Sequence, residues 1–148
     1  MKYCHSITVC VFAKAEEDNE RIRTGLHSLF PFDIREEKIP IKTEKATGVD
    51  ESRTILIHEA VLDKDRHIRA FLNALTEKLS PDQKAMLIRQ ENRLDANCNF
   101  FLRLDKYKLF DGVYWITDSG DCYHIRLCIA AYPKNKENSL EIVKEIFS

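Results

Sequence analysis

The segment from 99 to 133 has the densest alternation of apolar and polar residues in the chain. Because successive side chains of a strand point to opposite faces, this pattern predicts strands with one apolar face and one mixed face. The apolar face takes Phe100, Leu102, Leu104, Tyr123, Ile125, Leu127, Ile129 and Ala131. The mixed face takes Phe101, Arg103, Cys122, His124, Arg126, Cys128 and Ala130. We expect three strands joined by short turns, with a hairpin at 118–121 in which Gly120 is free to take positive φ.

Two further segments have the pattern of strands. The β-branched alternation from His5 to Lys14 predicts an interior strand, and apolar residues on both faces of Thr54 to Leu62 predict a strand buried on both sides. Apolar stripes of helical period predict four helices. They run from Glu16 to Phe30, from a cap at Asp63 or Asp65 to Leu79, from Pro81 to about Arg93 after a capping box at Ser80, and from Lys134 to Phe147.

The region between the first helix and the second of these strands is less regular. From Phe32 to Ile41, Pro40 cannot donate to a ladder, so a strand here would lie at a sheet edge. The polar segment from Lys42 to Ser52 is predicted to be a loop. Its basic residues, which could close on a ligand although a solvated loop is the favoured interpretation, are Lys42, Lys45 and Arg53.

The order of these elements is typical of a single α+β domain with a mostly antiparallel mixed sheet. The 148 residues are enough for one domain with a sizeable core. If the helices lie mainly on one face of the sheet, the other face stays partly open. The residues expected on that open side are Ser6, Thr8, Phe101, Arg103, His124 and Arg126.

Composition places the chain among soluble globular proteins, with 44% hydrophobic and 32% charged residues. No apolar run is long enough to span a bilayer, so we expect no membrane partner. The amino terminus lacks the pattern of a signal peptide, so a cytoplasmic location is expected. The net charge of −1 argues against non-specific coating of nucleic acid, but residues 99–136 lean slightly basic, which favours an anionic partner near the sheet.

The five cysteines are an odd number without C-x-x-C spacing, so reduced, packed thiols are expected. A zinc site would be possible only if the first and last strands brought Cys4, His5, Cys122 and His124 together. The sequence has no glycine-rich phosphate loop, no H-E-x-x-H and no G-x-S-x-G, and therefore no cofactor is expected. An enzyme would have to pair Cys122 with His124, or gather Asp105, Asp111 and Asp121 around a metal as in a nuclease. Ordinary turn and packing roles are favoured for all of these residues.

Binding has more support than catalysis. Aromatic and basic side chains on one sheet face would allow unstacked bases to stack while guanidinium groups hold phosphates. The candidate RNA-binding residues are Phe101, Arg103, Lys106, Lys108, His124 and Arg126. The alternative is a face covered by the protein's own helices or by a second copy in a homodimer, with Arg103 and Asp121 as structural ion-pair partners.

Several motifs resemble a known family. They are Asn99-Phe100-Phe101-Leu102-Arg103-Leu104-Asp105-Lys106, Gly120-Asp121 leading into His124-Ile125-Arg126, and Ala130-Ala131-Tyr132-Pro133. Together with Val11-Phe12-Ala13 and Glu59-Ala60-Val61-Leu62, they are similar to the archaeal RNA-binding family described as a predicted exosome subunit. One departure is Gly48-Val49-Asp50, where that family often has a Gly-Asn-Pro-like turn.

The resemblance implies an α+β fold similar to the large-subunit ribosomal protein that holds 5S ribosomal RNA, with RNA binding and no established catalysis. We therefore expect a non-catalytic accessory protein of RNA processing that binds structured or single-stranded RNA and contacts the exosome. The alternatives are a protein-interaction module of an RNA-processing or ribosomal complex, and a metal-dependent nuclease that uses Asp105 and Asp121.

Overall fold

The elements of the fold are those of an α+β domain, and the computed structural model describes residues 2–46 and 54–148. In chain order they are β1 (Cys4–Ala13), α1 (Asn19–Ser28), β2 (Lys42–Ala46), β3 (Ile55–Leu62), α2 (Asp65–Lys78), α3 (Pro81–Arg89), β4 (Asn99–Asp105), α4 (Lys106–Phe110), β5 (Cys122–Ile129) and α5 (Lys136–Phe147). A 3-10 turn, Glu91–Arg93, follows α3. The predicted α+β class is confirmed. Among the described helices, none has the length and apolar character needed to cross a bilayer.

The sheet has the strand order β2-β3-β1-β5-β4, and neighbouring strands pair antiparallel throughout its described part. The predicted interior position of β1 is confirmed, because Ile7 lies opposite Leu62 on one side and Leu127 on the other. The register between β1 and β5 shifts between Cys4 and Ser6. β4 and β2 form the two edges.

The helices pack on one face of the sheet, and the core lies between the two layers. Apolar side chains of β1, β4 and β5 point into it in the alternation that the sequence predicts. Phe100 of β4 lies 6.0 Å from Phe147 of α5 between ring centroids. The Tyr123 hydroxyl of β5 donates to the carbonyl oxygen of Ile22 in α1 at 2.7 Å. The opposite face of the sheet carries mostly half-buried and exposed side chains, although Thr8 on this face is buried.

The prediction of three consecutive strands between 99 and 133 is wrong. β4 is followed by the short helix α4, and the middle run makes only an isolated bridge between Leu104 and Ile116. This bridge has two backbone hydrogen bonds to β4, from the Asp105 N–H to the Trp115 carbonyl oxygen and from the Thr117 N–H to the Arg103 carbonyl oxygen. On the other edge of the run the Gln83 side chain of α3 takes the place of a further strand, because its Nε2 donates to the carbonyl oxygen of Tyr114 and its Oε1 accepts from the Ile116 backbone N–H. Residues 118–121 therefore connect the outer side of β4 to β5 and do not form a simple hairpin. Among the glycines that the structure describes, Gly112 takes positive φ and Gly120 does not.

The structure also corrects the predictions for residues 32–46 and for one helix cap. Residues 34–38 form turns in place of a strand, and Lys42–Ala46, predicted to be part of a loop, is the edge strand β2. The predictions for the remaining part of the loop refer to Gly48 and Arg53. Both residues lie outside the described residues. Helix α2 has Lys64 at its N-cap, without a side-chain cap from Asp63 or Asp65. The predicted cap at Ser80 is confirmed, because its Oγ accepts from the Gln83 N–H at 3.2 Å.

Candidate nucleic-acid interface

The face of the sheet away from the helices, which we call the open face, is formed by alternate residues of the strands. Because cross-strand partners share a face, the strand registers identify its members. On β1, β3, β4 and β5 they are Ser6, Thr8, Cys10, Phe12, Ile57, Glu59, Val61, Phe101, Arg103, His124, Arg126 and Cys128. All six positions that the sequence placed on the open side are among them.

The central part of the open face is a two-by-two arrangement on β4 and β5. Phe101 lies directly opposite Arg126, and Arg103 lies directly opposite His124. Directly opposed residues of an antiparallel pair have Cβ atoms within about 5.5 Å, so an aromatic ring, an imidazole and two guanidinium groups occupy one continuous patch. Phe101, Arg103 and His124 are half-buried, whereas Arg126 is exposed.

One depression of about 670 Å³ lies at the β4 edge of this patch. It is lined by Phe101, Arg103 and His124 together with Gln90, Asn92, Arg93 and Asp118. The Arg93 guanidinium lies 3.5 Å from the Asp118 carboxylate, and Arg103 donates to the Asp118 carbonyl oxygen at 3.1 Å. Two arginines therefore converge near one carboxylate, which leaves the depression net positive.

A second depression of about 240 Å³ lies on the β1 side and shares Phe101 and His124 with the first. Its wall includes Phe12, which is 47% exposed, and Arg126, whose guanidinium donates to the Thr8 hydroxyl at 3.2 Å. Glu59 is the acidic residue of this wall. Together the two depressions form a groove that runs across β4, β5 and β1.

The surroundings of His124 favour its neutral form. Burial lowers its pKa below the ordinary 6.5, and the positive charge of Arg103 opposite lowers it further. The nearby thiols are also uncharged, because burial and then the Glu59 carboxylate raise the pKa of Cys10 to about 11, and burial raises that of Cys122. The raised thiol pKa values disfavour the thiolate that a cysteine nucleophile requires.

The inclusion of Lys106 among the RNA-binding residues is wrong. Its side chain is 1% exposed, and its ammonium group donates to the Phe12 carbonyl oxygen at 2.8 Å and to both carboxylate oxygens of Glu17 at 3.1 Å. The chain leaves β4 at Asp105, so strand alternation no longer decides the direction of residue 106. Lys106 joins α4 to the β1–α1 connection and cannot reach a ligand on the open face.

Lys108 is exposed on α4, and its ammonium group lies 5.3 Å from the ring centroid of Trp115. Trp115 is half exposed, and its carbonyl oxygen accepts from the Asp105 N–H at 2.8 Å, so this pair lies beyond the end of β4. The sequence pattern does not identify Trp115, Phe12, Gln90 or Asn92 as members of the site, and it gives Arg93 only as the approximate end of the helix that begins at Pro81. Arg93 and Trp115 lie outside regular strands, where periodicity gives no direction.

The carboxylates proposed for a nuclease have structural partners. Asp105 accepts from the Lys108 N–H at the start of α4, and Asp121 pairs with Lys14 at 2.8 Å. The zinc hypothesis is wrong, because Cys4 lies opposite Ile129, at the far end of β5 from Cys122. Seven strand residues separate these positions by roughly 23 Å. Across the described residues, no group of three or more His, Cys, Asp or Glu side chains is arranged to hold a metal ion.

Comparisons with known proteins identify relatives over nearly the whole chain. The chain is 30% identical over 142 residues to the RNA-binding protein PAB1135 of Pyrococcus abyssi, covering 95% of this chain and 92% of that protein. Among solved structures, it is similar to the DUF54 protein Mth689 of Methanothermobacter thermautotrophicus, with a TM-score of 0.79, 29% identity and 99% of each chain covered.

A second similar structure is the DUF54 protein AF2318 of Archaeoglobus fulgidus, with a TM-score of 0.84 and 26% identity over 97% of this chain and 99% of that one. The family model described as RNA binding matches residues 6–130, a range that contains every residue named above on the open face. The chain belongs to this archaeal RNA-binding family.

Proposed function

We propose that the open face is the RNA-binding site of this protein. The observation that supports it most is the placement of Phe101, Arg103, His124 and Arg126 as two opposed pairs on the sheet face away from the helices. A flat ring such as Phe101 offers a stacking surface to any base, and guanidinium groups hold phosphates with two donors each.

Single-stranded RNA, or the unpaired part of a structured RNA, fits this surface best. The groove across β4, β5 and β1 exposes the ring of Phe101 on the surface of the sheet. An unstacked base can pack on this ring, whereas a base that is paired within a duplex cannot reach it. Arg103 and Arg126 lie on different strands, so they contact successive phosphates while a base packs on Phe101 or His124. Arg93 joins this set, and Lys108 with Trp115 extends it beyond the end of β4.

The proposal includes a non-catalytic accessory role in cytoplasmic RNA processing, with the exosome as partner. The structural engagement of Asp105 and Asp121 and the uncharged thiols support the absence of catalysis. The family resemblance supports the exosome as a partner.

Incubating end-labelled RNA with the protein and Mg²⁺ or Mn²⁺ tests the absence of catalysis, since any ladder of cleavage products would contradict it. Co-sedimentation with a purified archaeal exosome core, with and without RNA, tests whether the exosome is a partner.

A protein-docking role for the same face is the second candidate. Exposed and half-buried apolar side chains, namely Phe12, Ile57 and Val61, continue the patch toward β3. A protein partner or a second copy would cover these residues, whereas RNA would engage the arginine side of the face. Salt separates the two, because phosphate contacts release counterions and weaken steeply as ionic strength rises.

The test is a fluorescence-anisotropy titration of a labelled single-stranded RNA at several salt concentrations. The variant Arg103→Ala/Arg126→Ala is compared with Arg69→Ala/Arg89→Ala, which removes the same charge from exposed positions on α2 and α3. We expect the first variant to weaken binding at least tenfold and to reduce the slope of log K against log salt by about 1 to 2, and the second to change little. Equal effects of the two variants would contradict an open-face site.

A further inference from the structure

A second basic site lies away from the open face, between α1, the turns at 34–38 and the segment that leads into β2. Here Arg23, His27, Arg35 and Lys38 surround a pocket of about 410 Å³ whose apolar floor includes Ile34 and Ile39. We call it the cationic pocket. A volume of this size is within the range of small-ligand sites, and a charged rim over an apolar floor is their usual composition.

The charges of the cationic pocket lack neutralising partners. Among residues 2–46 and 54–148, the side chains of Arg23, Arg35 and Lys38 make neither an ion pair nor a hydrogen bond. Asp33 is the nearby acid, and its carboxylate accepts from the Arg35 backbone N–H at 2.9 Å. Glu37 turns away to Arg66 at 3.1 Å. The residues that line the cationic pocket therefore include three cations and no carboxylate, whereas Glu36 and Glu37 line the adjoining depression on the other side of Lys38.

The positive charge of the pocket affects the titration of His27, which lines it. Burial lowers the pKa of His27, and Arg35 and Arg23 lower it further by repulsion, with only Asp33 opposing them. The two guanidinium groups are thus close enough to the imidazole to disfavour its charged form. Like charges held together without a counter-charge are typical of anion sites, where the ligand supplies the missing negative charge.

The backbone at Lys38 gives an independent observation. Residues 34–39 end in a Schellman motif, in which Ile39 N–H donates to the Ile34 carbonyl oxygen at 2.8 Å and Lys38 N–H to that of Arg35 at 3.1 Å. Lys38 occupies the left-handed position with φ 60°, where glycine is the residue without steric cost. Lys38 therefore has a steric cost that glycine would not have, and its side chain lines the cationic pocket.

We propose that the cationic pocket binds the phosphate monoester of a nucleotide, with the nucleoside packed on the apolar floor. Three cations around one pocket favour a phosphate that carries about two negative charges over a backbone diester that carries one. Such a group is found at the 5′ end of an RNA and on a free mononucleotide. For the RNA source, the inference rests on the proposed function, since the same chain must hold the RNA; for a free mononucleotide it does not.

The test uses two forms of one RNA oligonucleotide, with a 5′-phosphate or a 5′-hydroxyl, and AMP and inorganic phosphate as small probes. Binding is followed by anisotropy for the RNAs and by amide chemical shifts for the small probes. In the wild type we expect the 5′-phosphate to strengthen RNA binding about tenfold, and AMP to shift the amides of Arg35, Lys38 and Ile39 at lower concentration than inorganic phosphate does.

Lys38→Gly separates function from folding, because it removes both the charge and the strain. We expect this variant to keep or raise the melting temperature, by up to about 4 °C, while it abolishes the preference for the 5′-phosphate. Lys38→Arg should retain the preference, and Lys144→Ala, which removes one charge on α5, should leave it unchanged. The Arg103→Ala/Arg126→Ala variant should weaken both RNAs and keep their ratio, so failure of the open-face site and failure of this pocket are distinguishable.

Shifts with AMP but equal binding of the two RNAs would assign the pocket to a free mononucleotide. Equal binding of the two RNAs without AMP shifts at the pocket would overturn the inference. If inorganic phosphate binds with the same affinity as AMP, the proposed packing of the nucleoside on the apolar floor is wrong.

Discussion

The ring of Tyr123 fills the space into which a side chain at position 25 would project. A Cβ atom on Gly25 would lie 2.9 Å from the Cζ atom of Tyr123 and closer still to its hydroxyl oxygen. The ring is fixed in this place, because its hydroxyl donates to the Ile22 carbonyl oxygen at 2.7 Å within the buried core. The close approach of α1 to β5 therefore depends on the absence of a side chain at residue 25.

We expect Gly25→Ala to lower the free energy of unfolding by about 1 to 3 kcal/mol, the usual cost of overpacking a core. At an exposed helical site the same change would raise the free energy of unfolding by up to about 1 kcal/mol. The sign of the measured change therefore shows whether position 25 is tightly packed. Urea denaturation followed by circular dichroism measures the difference. Tyr123→Phe alone should cost about 1 kcal/mol, and the double variant should cost less than the sum. A stabilised Gly25→Ala protein would contradict the packing.

The buried pair of Lys106 and Glu17 gives a second prediction. Replacing Lys106 by Ala removes a charge that is 1% exposed and leaves the Glu17 carboxylate without its main partner. We expect a loss of about 3 to 5 kcal/mol in the free energy of unfolding. Lys106→Met, which keeps the length of the stem, should cost less when combined with Glu17→Gln than alone. RNA affinity of this folded double variant should remain within twofold of the wild type, and a large loss would return Lys106 to the binding site.

Acid stability follows from Glu17 and Asp121. Burial alone would raise the pKa of Glu17, but hydrogen bonds from the Lys14 N–H, Lys106 and Tyr107 lower it overall. The hydrogen bond and charge of Lys14 lower that of Asp121. Because both values are lowered on folding, their stabilisation is complete above the ordinary values of 4.5 and 3.8 and is lost as the pH falls through the folded values. Denaturation between pH 2 and 7 should show this loss, and Glu17→Gln should show less of it.

The pairing of Arg103 with His124 predicts a response to substitution and to ligand. Removing the Arg103 charge favours the protonated imidazole, so Arg103→Ala should raise the pKa of His124 toward its ordinary value. Bound phosphate should raise it as well. An NMR titration of the imidazole Cε1–H signals measures both shifts. If the pKa of His124 is the same in the wild type, the variant and the RNA complex, the imidazole is not coupled to this arginine or to phosphate.

Phe101 separates stacking from charge. Phe101→Leu keeps an apolar side chain on the open face but removes the ring, so the free energy of unfolding should change by less than about 1.5 kcal/mol. The free energy of RNA binding should weaken by about 1 to 3 kcal/mol, and the salt dependence should stay that of the wild type. Anisotropy at two salt concentrations tests this. A lowered salt slope with unchanged affinity would contradict stacking.

The sequence predicts the open face well because strand alternation is a geometric rule. Once residues 99–105 and 122–129 are recognised as strands, Phe101, Arg103, His124 and Arg126 must share a face, and the observed registers agree. Alternation also identifies β1 as an interior strand. These positions depend on local periodicity alone, and no long-range contact changes them.

The errors arise where a long-range contact decides the structure. Where the sequence pattern predicts a strand, a single bridge to β4 forms, and the side chain of Gln83 in α3 binds the backbone at 114 and 116 on the other edge of the run. The edge strand β2 is exposed at every position and therefore has no apolar alternation to detect. Lys106 follows the last strand residue, where alternation ends, and its direction is decided by Glu17, 89 residues away in sequence. None of these partners can be inferred from neighbouring residues.

The most direct measurement of the central claim is a heteronuclear NMR titration of the 15N-labelled protein with a short single-stranded RNA. If RNA binds the open face, the largest chemical-shift changes will fall on the backbone of β4 and β5 and on the side-chain Nε–H signals of Arg103 and Arg126. The signals from the exposed sides of α2 and α5 will not change. Shifts confined to the helical layer, with the open-face arginines unchanged, would contradict this claim.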